Sequence, residues 1–267
     1  MKKITLFALV TLLFSCKTDK NKQDAIPEAV PVSSSDSITD YPEVLTNVFD
    51  AHGGLTAWNS FKTLRFTMLK GATSETHTTA LKSRKEAITA SDVQMGFDGE
   101  KVWLLDEKGR YKGDAVFYHN LMFYFYAMPF VLADGGINYE EIPALEYEGK
   151  SYPGIRMSYN DGVGNSPKDE YFLHYDPETF QMQWLGYTVT YRSGEKSENV
   201  KWIRYDDWMD VSGVILPKSI TWYTSEDKLI TAPRNTVLFE DVSLTIVEKP
   251  ARFYDKPETG VFVSGED

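Results

Sequence analysis

Four histidines, His52, His77, His119 and His174, are the side chains best suited to proton transfer or metal ligation in this chain, and their spacing argues against both uses. They stand far apart, with no His-x-His or His-Glu-x-x-His arrangement, and the single cysteine, Cys16, lies in the leader region and adds no thiolate to the core. No metal centre and no cofactor are expected. His119 beside Asn120 reads as a hydrogen-bonded structural pair. The chain has no Gly-x-Ser-x-Gly elbow and no Gly-x-x-x-x-Gly-Lys phosphate loop. Glu140, Glu141, Glu146 and Glu148 are the close-set carboxylates that acid–base catalysis needs, yet they fall in a polar stretch that reads as a solvated loop between elements. Asp161, Asn165 and Asp169 around Gly162 and Gly164 supply oxygens, but their spacing matches no calcium loop and any turn uses such residues. A Schiff-base lysine would need the alternating strands and helices of a barrel, and only two helical regions can be read. The expectation is a non-enzyme with no catalytic residues.

What remains is apolar burial. The candidate lining for a hydrophobic small molecule or lipid is Phe66 and Met68 on the first strand, Leu121, Phe125, Met128 and Leu132 on one stripe of an apolar segment, and Trp103 and Trp184 on the sheet. At about 25 cal/mol per Å² of apolar area, an acyl chain needs no specific polar partner to bind. The alternative is a protein-interaction or envelope-stress sensor module whose core is filled, with an envelope protein as partner; a hydrolase with an unrecognised site is the weaker third reading.

The elements that position these residues begin at residues 41–69. Val44, Leu45, Val48 and Phe49 share one helical stripe, with Glu43, Asn47 and Asp50 on the other side. Asp40 and Glu43 read as a capping box with Pro42 in the first turn, Gly53 and Gly54 stop the helix, and His52 sits where a C-terminus tolerates partial positive charge. Leu55, Trp58 and Phe61 give a short second turn. The period then drops to two: Leu64, Phe66 and Met68 alternate with Arg65 and Thr67 in a strand with one buried face. Strands are predicted over residues 75–81, 85–90, 93–97, 101–105, 154–159, 170–175, 182–191, 200–208, 214–222 and 236–246. Turn signals such as Asp98-Gly99 join them, so successive strands must be antiparallel neighbours. Residues 115–133 are apolar apart from His119, Asn120 and the tyrosines. They are predicted to form a helix, broken at Pro129, packed across the open face of the sheet as core or lid and not spanning a membrane.

Ahead of this lies a leader. Lys2 and Lys3, an apolar run from Ile4 to Phe14, and Ser15 before Cys16 read as a secretory signal over residues 1–15, too short to be kept as a spanning helix. The ending resembles a bacterial lipoprotein signal, which implies that Cys16 becomes the acylated first residue, although Phe14 is bulkier than the residue usual there. Residues 16–39 then hold the lipidated cysteine and a polar, disordered tether with a reach on the order of 25 Å. Lys17 is not the aspartate that retains lipoproteins at the inner membrane, and residues 17–20 match poorly the acidic stretch that exports them to the surface. The expected address is the cell envelope, at the outer membrane facing the periplasm. Residues 40–267 form one domain, expected to be a monomer. The net charge of −11 becomes −13 once Lys2 and Lys3 leave with the leader, and no basic run interleaves with aromatics, so nucleic acid is not expected as a partner.

Ala51-His52-Gly53-Gly54-Leu55 with Trp58, then Phe61-Lys62-Thr63-Leu64, resembles the opening of LolA-like lipoprotein-carrier domains, and Gly96-Phe97-Asp98-Gly99 ahead of Val102-Trp103 is similar to the hairpin that follows in them. With the aromatic segment, Asp210-Val211, Gly213-Val214 and Leu216-Pro217, the combination resembles a family of Bacteroidota envelope lipoproteins of unknown function. The resemblance implies a mainly β (α+β) fold: a strongly curved antiparallel half-barrel sheet with an N-terminal helix and an apolar covering helix, and an apolar pocket between them. An anchored carrier could not shuttle, so binding at one membrane is the implied task.

Overall fold

Outside residues 115–133, alternation between apolar and polar residues recurs along the chain after Thr63, and in the computed structural model, which describes residues 41–71, 73–160 and 166–264, nearly every such stretch is a strand. The expected leader, Cys16, the tether and Asp40 lie outside the described residues, as do Asp161 and Asn165. The strands are β1 (Thr63–Lys70), β2 (Thr73–Ala80), β3 (Glu86–Ala90), β4 (Val93–Phe97), β5 (Val102–Leu105), β6 (Ile137–Tyr147), β7 (Lys150–Tyr159), β8 (Glu170–Tyr175), β9 (Met182–Tyr187), β10 (Lys201–Val211), β11 (Val214–Glu226), β12 (Leu229–Thr245) and β13 (Val261–Val263).

They form one open, curved, wholly antiparallel sheet in the order β13-β5-β4-β3-β2-β1-β12-β11-β10-β9-β8-β7-β6. Two meanders, β1 to β5 and β6 to β12, are thus joined where β1 pairs with β12, from Thr63 opposite Thr245 to Met68 opposite Phe239. Two strands were not expected. β13 is short, and β6 runs straight through the acidic stretch assigned to a loop: Glu140 and Glu141 pair with Arg156 and Ile155 of β7. β6 is an edge strand, where charged side chains are common because they discourage pairing with another chain.

The concave face holds the core. Leu64, Phe66 and Met68 of β1, Leu173 of β8, Leu185 of β9, Ile203 and Tyr205 of β10, Ile220 of β11 and Phe239 of β12 are all buried there. Helix α1 (Glu43–Ala51) lays Leu45, Val48 and Phe49 on them, and α2 (Gly54–Ser60) adds Trp58. Pro42 occupies the N-cap, and its carbonyl accepts from the N–H groups of Leu45 and Thr46. Gly53 is required for two reasons: its φ is +97°, and a Cβ there would stand 2.1 Å from the Gly213 carbonyl oxygen.

His52 departs from expectation. It is fully buried, and burial lowers its pKa to about 4, so the ring is neutral and carries no helix-terminal charge. Its Nδ1–H donates to the Ile215 carbonyl at 3.2 Å, and Nε2 accepts the Met182 N–H at 3.1 Å, which fixes the tautomer and ties the helix end to β9 and β11.

The apolar covering segment is also not one helix. It breaks into α3 (Ala115–Tyr118), α4 (Leu121–Tyr126) and a 3-10 turn, Phe130–Ala133. The first break is at Asn120, whose φ of +60° is the left-handed conformation that asparagine tolerates. Among the described residues no helix is long and apolar enough to cross a membrane.

Candidate functional site

Three tyrosine hydroxyls from three different elements fix the covering segment. Helix ends leave carbonyls without intrahelical donors. Here Tyr205 of β10 donates to the Phe125 carbonyl at 2.8 Å, Tyr139 of β6 to Leu132 at 2.7 Å, and Tyr41 ahead of α1 to Ala133 at 2.9 Å. Rings fill the space beneath. Tyr126 lies 4.4 Å from Phe66 and 4.3 Å from Phe239 between centroids, Phe125 lies 4.9 Å from Tyr187, and Phe130 stacks on Trp58 at 4.6 Å.

The other end of the segment is held by charge. His77 of β2 is fully buried between Glu75 and Glu86, with Nε2 at 2.8 Å from Glu75 Oε1 and Nδ1 at 3.1 Å from Glu86 Oε1. Burial opposes its charge, but the hydrogen bonds and negative charges of Glu75 and Glu86 prevail and raise its pKa. Glu75 is likewise desolvated, yet His77, Lys70 and Tyr118 hold it down at about 2. Glu86 also accepts from Thr79 Oγ1 at 3.2 Å and from the Asn120 N–H at 2.5 Å, while Tyr118 of α3 donates to Glu75. The imidazolium thereby fixes two carboxylates, and the carboxylates fix the α3–α4 break. Both ring nitrogens are occupied, which makes this a structural latch and not a base facing a substrate.

Beside the break lies a cleft of about 340 Å³. Val116, Phe117, Leu121, Tyr124 and Val131 of the covering segment line it together with Tyr159 at the end of β7, Tyr171 on β8 and Tyr191. Arg84 and Asp134 stand at its polar side as an ion pair at 2.6 Å, and Arg84 stacks over Phe123 with 5.0 Å to the ring centroid. Asn120 lines the same cleft, its Nδ2 donating to the Arg84 carbonyl at 3.0 Å. Burial raises the pKa of Tyr124, Tyr159 and Tyr171, so all three are neutral walls.

Of the eight residues expected to line a hollow, Leu121 alone lines this cleft. Phe66, Met68, Phe125, Met128 and Leu132 are packed in the main core. Trp103 sits on β5 away from them, its Nε1–H donating to the Tyr254 carbonyl at 2.8 Å. Trp184 faces the opposite side of the sheet, against Tyr147 and Tyr223. Tyr159 and Tyr171 fall at strand ends and Tyr191 lies beyond β9, where alternation no longer says which way a ring points. Of the turn carboxylates, Asp169 also lines the cleft and accepts the Thr190 N–H at 2.7 Å.

The chain belongs to the family described as "Family of unknown function (DUF6503)", which matches residues 2–237. No curated protein matches it. By shape it is similar to a LolA superfamily protein from Nitrosomonas europaea, at 9% identity and a TM-score of 0.44 over 78% of this chain and 96% of that one. It is also similar to a DUF1329 family protein from Desulfovibrio piger ATCC 29098, at 9% identity and 0.45 over 78% and 95%. A third likeness, at 7% identity and 0.37 over 69% and 84%, is to an outer membrane lipoprotein-sorting protein domain from Vibrio parahaemolyticus.

Proposed function

We propose that this family member binds a hydrophobic or amphipathic ligand, a lipid or single acyl chain, in the cleft between its covering segment and the ends of β7 and β8, without turning it over. The carrying observation is the cleft itself: a space of about 340 Å³, walled by Leu121, Val116, Phe117 and tyrosine rings, beside a core whose other apolar side chains are in mutual contact. Pockets of this size with mostly apolar walls and a few placed polar groups are the usual form of a small-ligand site. Cys16, acylated after removal of residues 1–15, would hold the domain at the outer membrane, on the periplasmic side; labelling with an alkyne fatty acid should mark the parent chain and not Cys16→Ser.

The test of binding is mass spectrometry of organic extracts from the purified chain, with Leu121→Asp as the control. Leu121 is half-buried, so a carboxylate there can reach water while spoiling the apolar wall. A lipid that copurifies with the parent and is lost from the variant, with stability kept to within about 1 kcal/mol, is the expected result. A lipid-free parent, or equal lipid in both, refutes the reading. A second reading, an interaction module with a filled core, is favoured by the dense packing of Phe66, Met68, Phe125, Met128 and Leu132; it predicts a lipid-free parent that captures one envelope protein.

A further inference from the structure

A second hollow, about 650 Å³, lies on the face of the sheet turned away from the helices. The register assigns that face: Leu173, Leu185 and Ile203 form one cross-strand row pointing into the core, so the adjacent row, Phe172, Gly186 and Trp202, points outward. Gly186 stands directly opposite both Phe172 on β8 and Trp202 on β10. A Cβ on it would come within 2.9 Å of the Trp202 ring, so the indole lies over the β9 backbone along the sheet surface. One strand pair further on, Gly154 leaves the same room for His174, whose ring atoms would stand 2.5 Å from an added Cβ. Two missing side chains thus produce a floor of rings lying along the sheet, half-exposed at Phe172 and Trp202.

The rim is polar and carries charges of both signs, with Asp227 beside the two ion pairs. Arg156 pairs with Glu170 at 3.7 Å on one side, and Lys228 with Glu198 at 3.5 Å on the other, next to Ser197 and Asn199. A bulge in β6 between Ile142 and Leu145 forms an end wall.

We propose that this outer groove is a binding site for a neutral saccharide. The electron-rich face of an aromatic ring attracts the C–H face of a pyranose, and planar amide, carboxylate and guanidinium groups around it match ring hydroxyls in both donor and acceptor roles. Paired charges of both signs on a chain of net charge −11 offer nothing to a polyanion. A peptide strand would find the backbones of β7 to β10, which carry the ring floor, already paired on both sides; the free edge is the outer side of β6, at the end wall and away from those rings.

The full chain is applied to an array of neutral oligosaccharides, and the best binder is titrated by calorimetry against the parent, Trp202→Ala and Asn199→Ala. Binding of at least one neutral oligosaccharide is expected, weakened at least about tenfold by the loss of the indole and measurably by loss of the rim amide. Asn199 is exposed, so that variant keeps the fold even if Trp202→Ala does not. An array with no neutral binder overturns the proposal. So does binding unchanged in Asn199→Ala and Trp202→Ala, or capture confined to anionic polymers or peptides. Leu121→Asp should leave saccharide binding intact, which separates this site from the lipid cleft.

Discussion

Replacing His77 by phenylalanine tests the buried latch most directly. The new ring can keep the stack on Phe66, where the centroids are 4.8 Å apart and the planes differ by 10°, so packing is nearly preserved while the charge and both donors are lost. Two charge-assisted hydrogen bonds, at 2.8 and 3.1 Å, disappear at about 1.5–3 kcal/mol each. Glu75 keeps Lys70 and Tyr118, but Glu86 is left in the interior with only the Thr79 hydroxyl and the Asn120 N–H as partners. Breaking a buried pair in this way costs about 3–5 kcal/mol, which for a domain of this size lowers Tm by roughly 6–20 °C. Urea unfolding followed by circular dichroism at several pH values measures it. The raised pKa of His77 means that its contribution is complete below the unfolded value of 6.5 and is lost as pH rises through the folded one, so the gap between parent and variant should narrow on the alkaline side. Adding Glu75→Gln and Glu86→Gln to the variant should recover part of the loss. A variant within about 1 kcal/mol of the parent at pH 6, or a gap that widens with rising pH, refutes the paired imidazolium.

His52 should produce the opposite slope: with its pKa lowered to about 4 from 6.5, its contribution is whole above pH 6.5 and about 3 kcal/mol is lost as pH falls through the folded value. Denaturant titrations at pH 7 and pH 4.5 should show this loss in the parent and not in His52→Gln. Tyr205→Phe, which removes the bond to the Phe125 carbonyl, should cost about 1–2 kcal/mol by thermal melting, and the three pins taken together should free the covering segment to amide exchange. Gly53→Ala, driven into the Gly213 carbonyl, should abolish soluble yield. Gly71→Ala, with the same need for a positive φ of +63° but nothing within 4 Å, should cost only about 1–2 kcal/mol in a thermal melt.

Period carried most of the architecture. Leu64, Phe66 and Met68 announce β1, and Val48 with Phe49 announces the buried stripe of α1, because direction relative to the backbone is a local property. What period does not carry is volume. Phe125 and Met128 point inward as expected, but whether inward space is open depends on what comes from the opposite wall, here Tyr187, Trp222 and Phe239. Phe125→Asp, an obvious probe of an open pocket, would instead bury a carboxylate in the core and unfold the sheet. The His77 latch was hidden for a related reason. Glu75 and His77 fall on the same face of one strand, which was readable, but Glu86 joins them through the register of β2 against β3, in which Thr79 stands opposite it. An inward-facing Glu-x-His pair in a strand was the available signal. Asn120 is visible as a polar interruption, though its left-handed backbone is not, so periodicity alone makes the covering helix longer than it is.

The joint between the two meanders has a consequence for how the chain is made. β1 is among the first strands to leave the ribosome, yet it lies in the middle of the sheet, and the neighbour on its far side, β12, ends at Thr245. Until synthesis has passed that point, β1 carries a bare row of amides and carbonyls along an apolar face, the arrangement that invites pairing between chains. Fragments truncated ahead of β12 should therefore precipitate, whereas removing only β13, three residues at the rim, should leave a soluble protein.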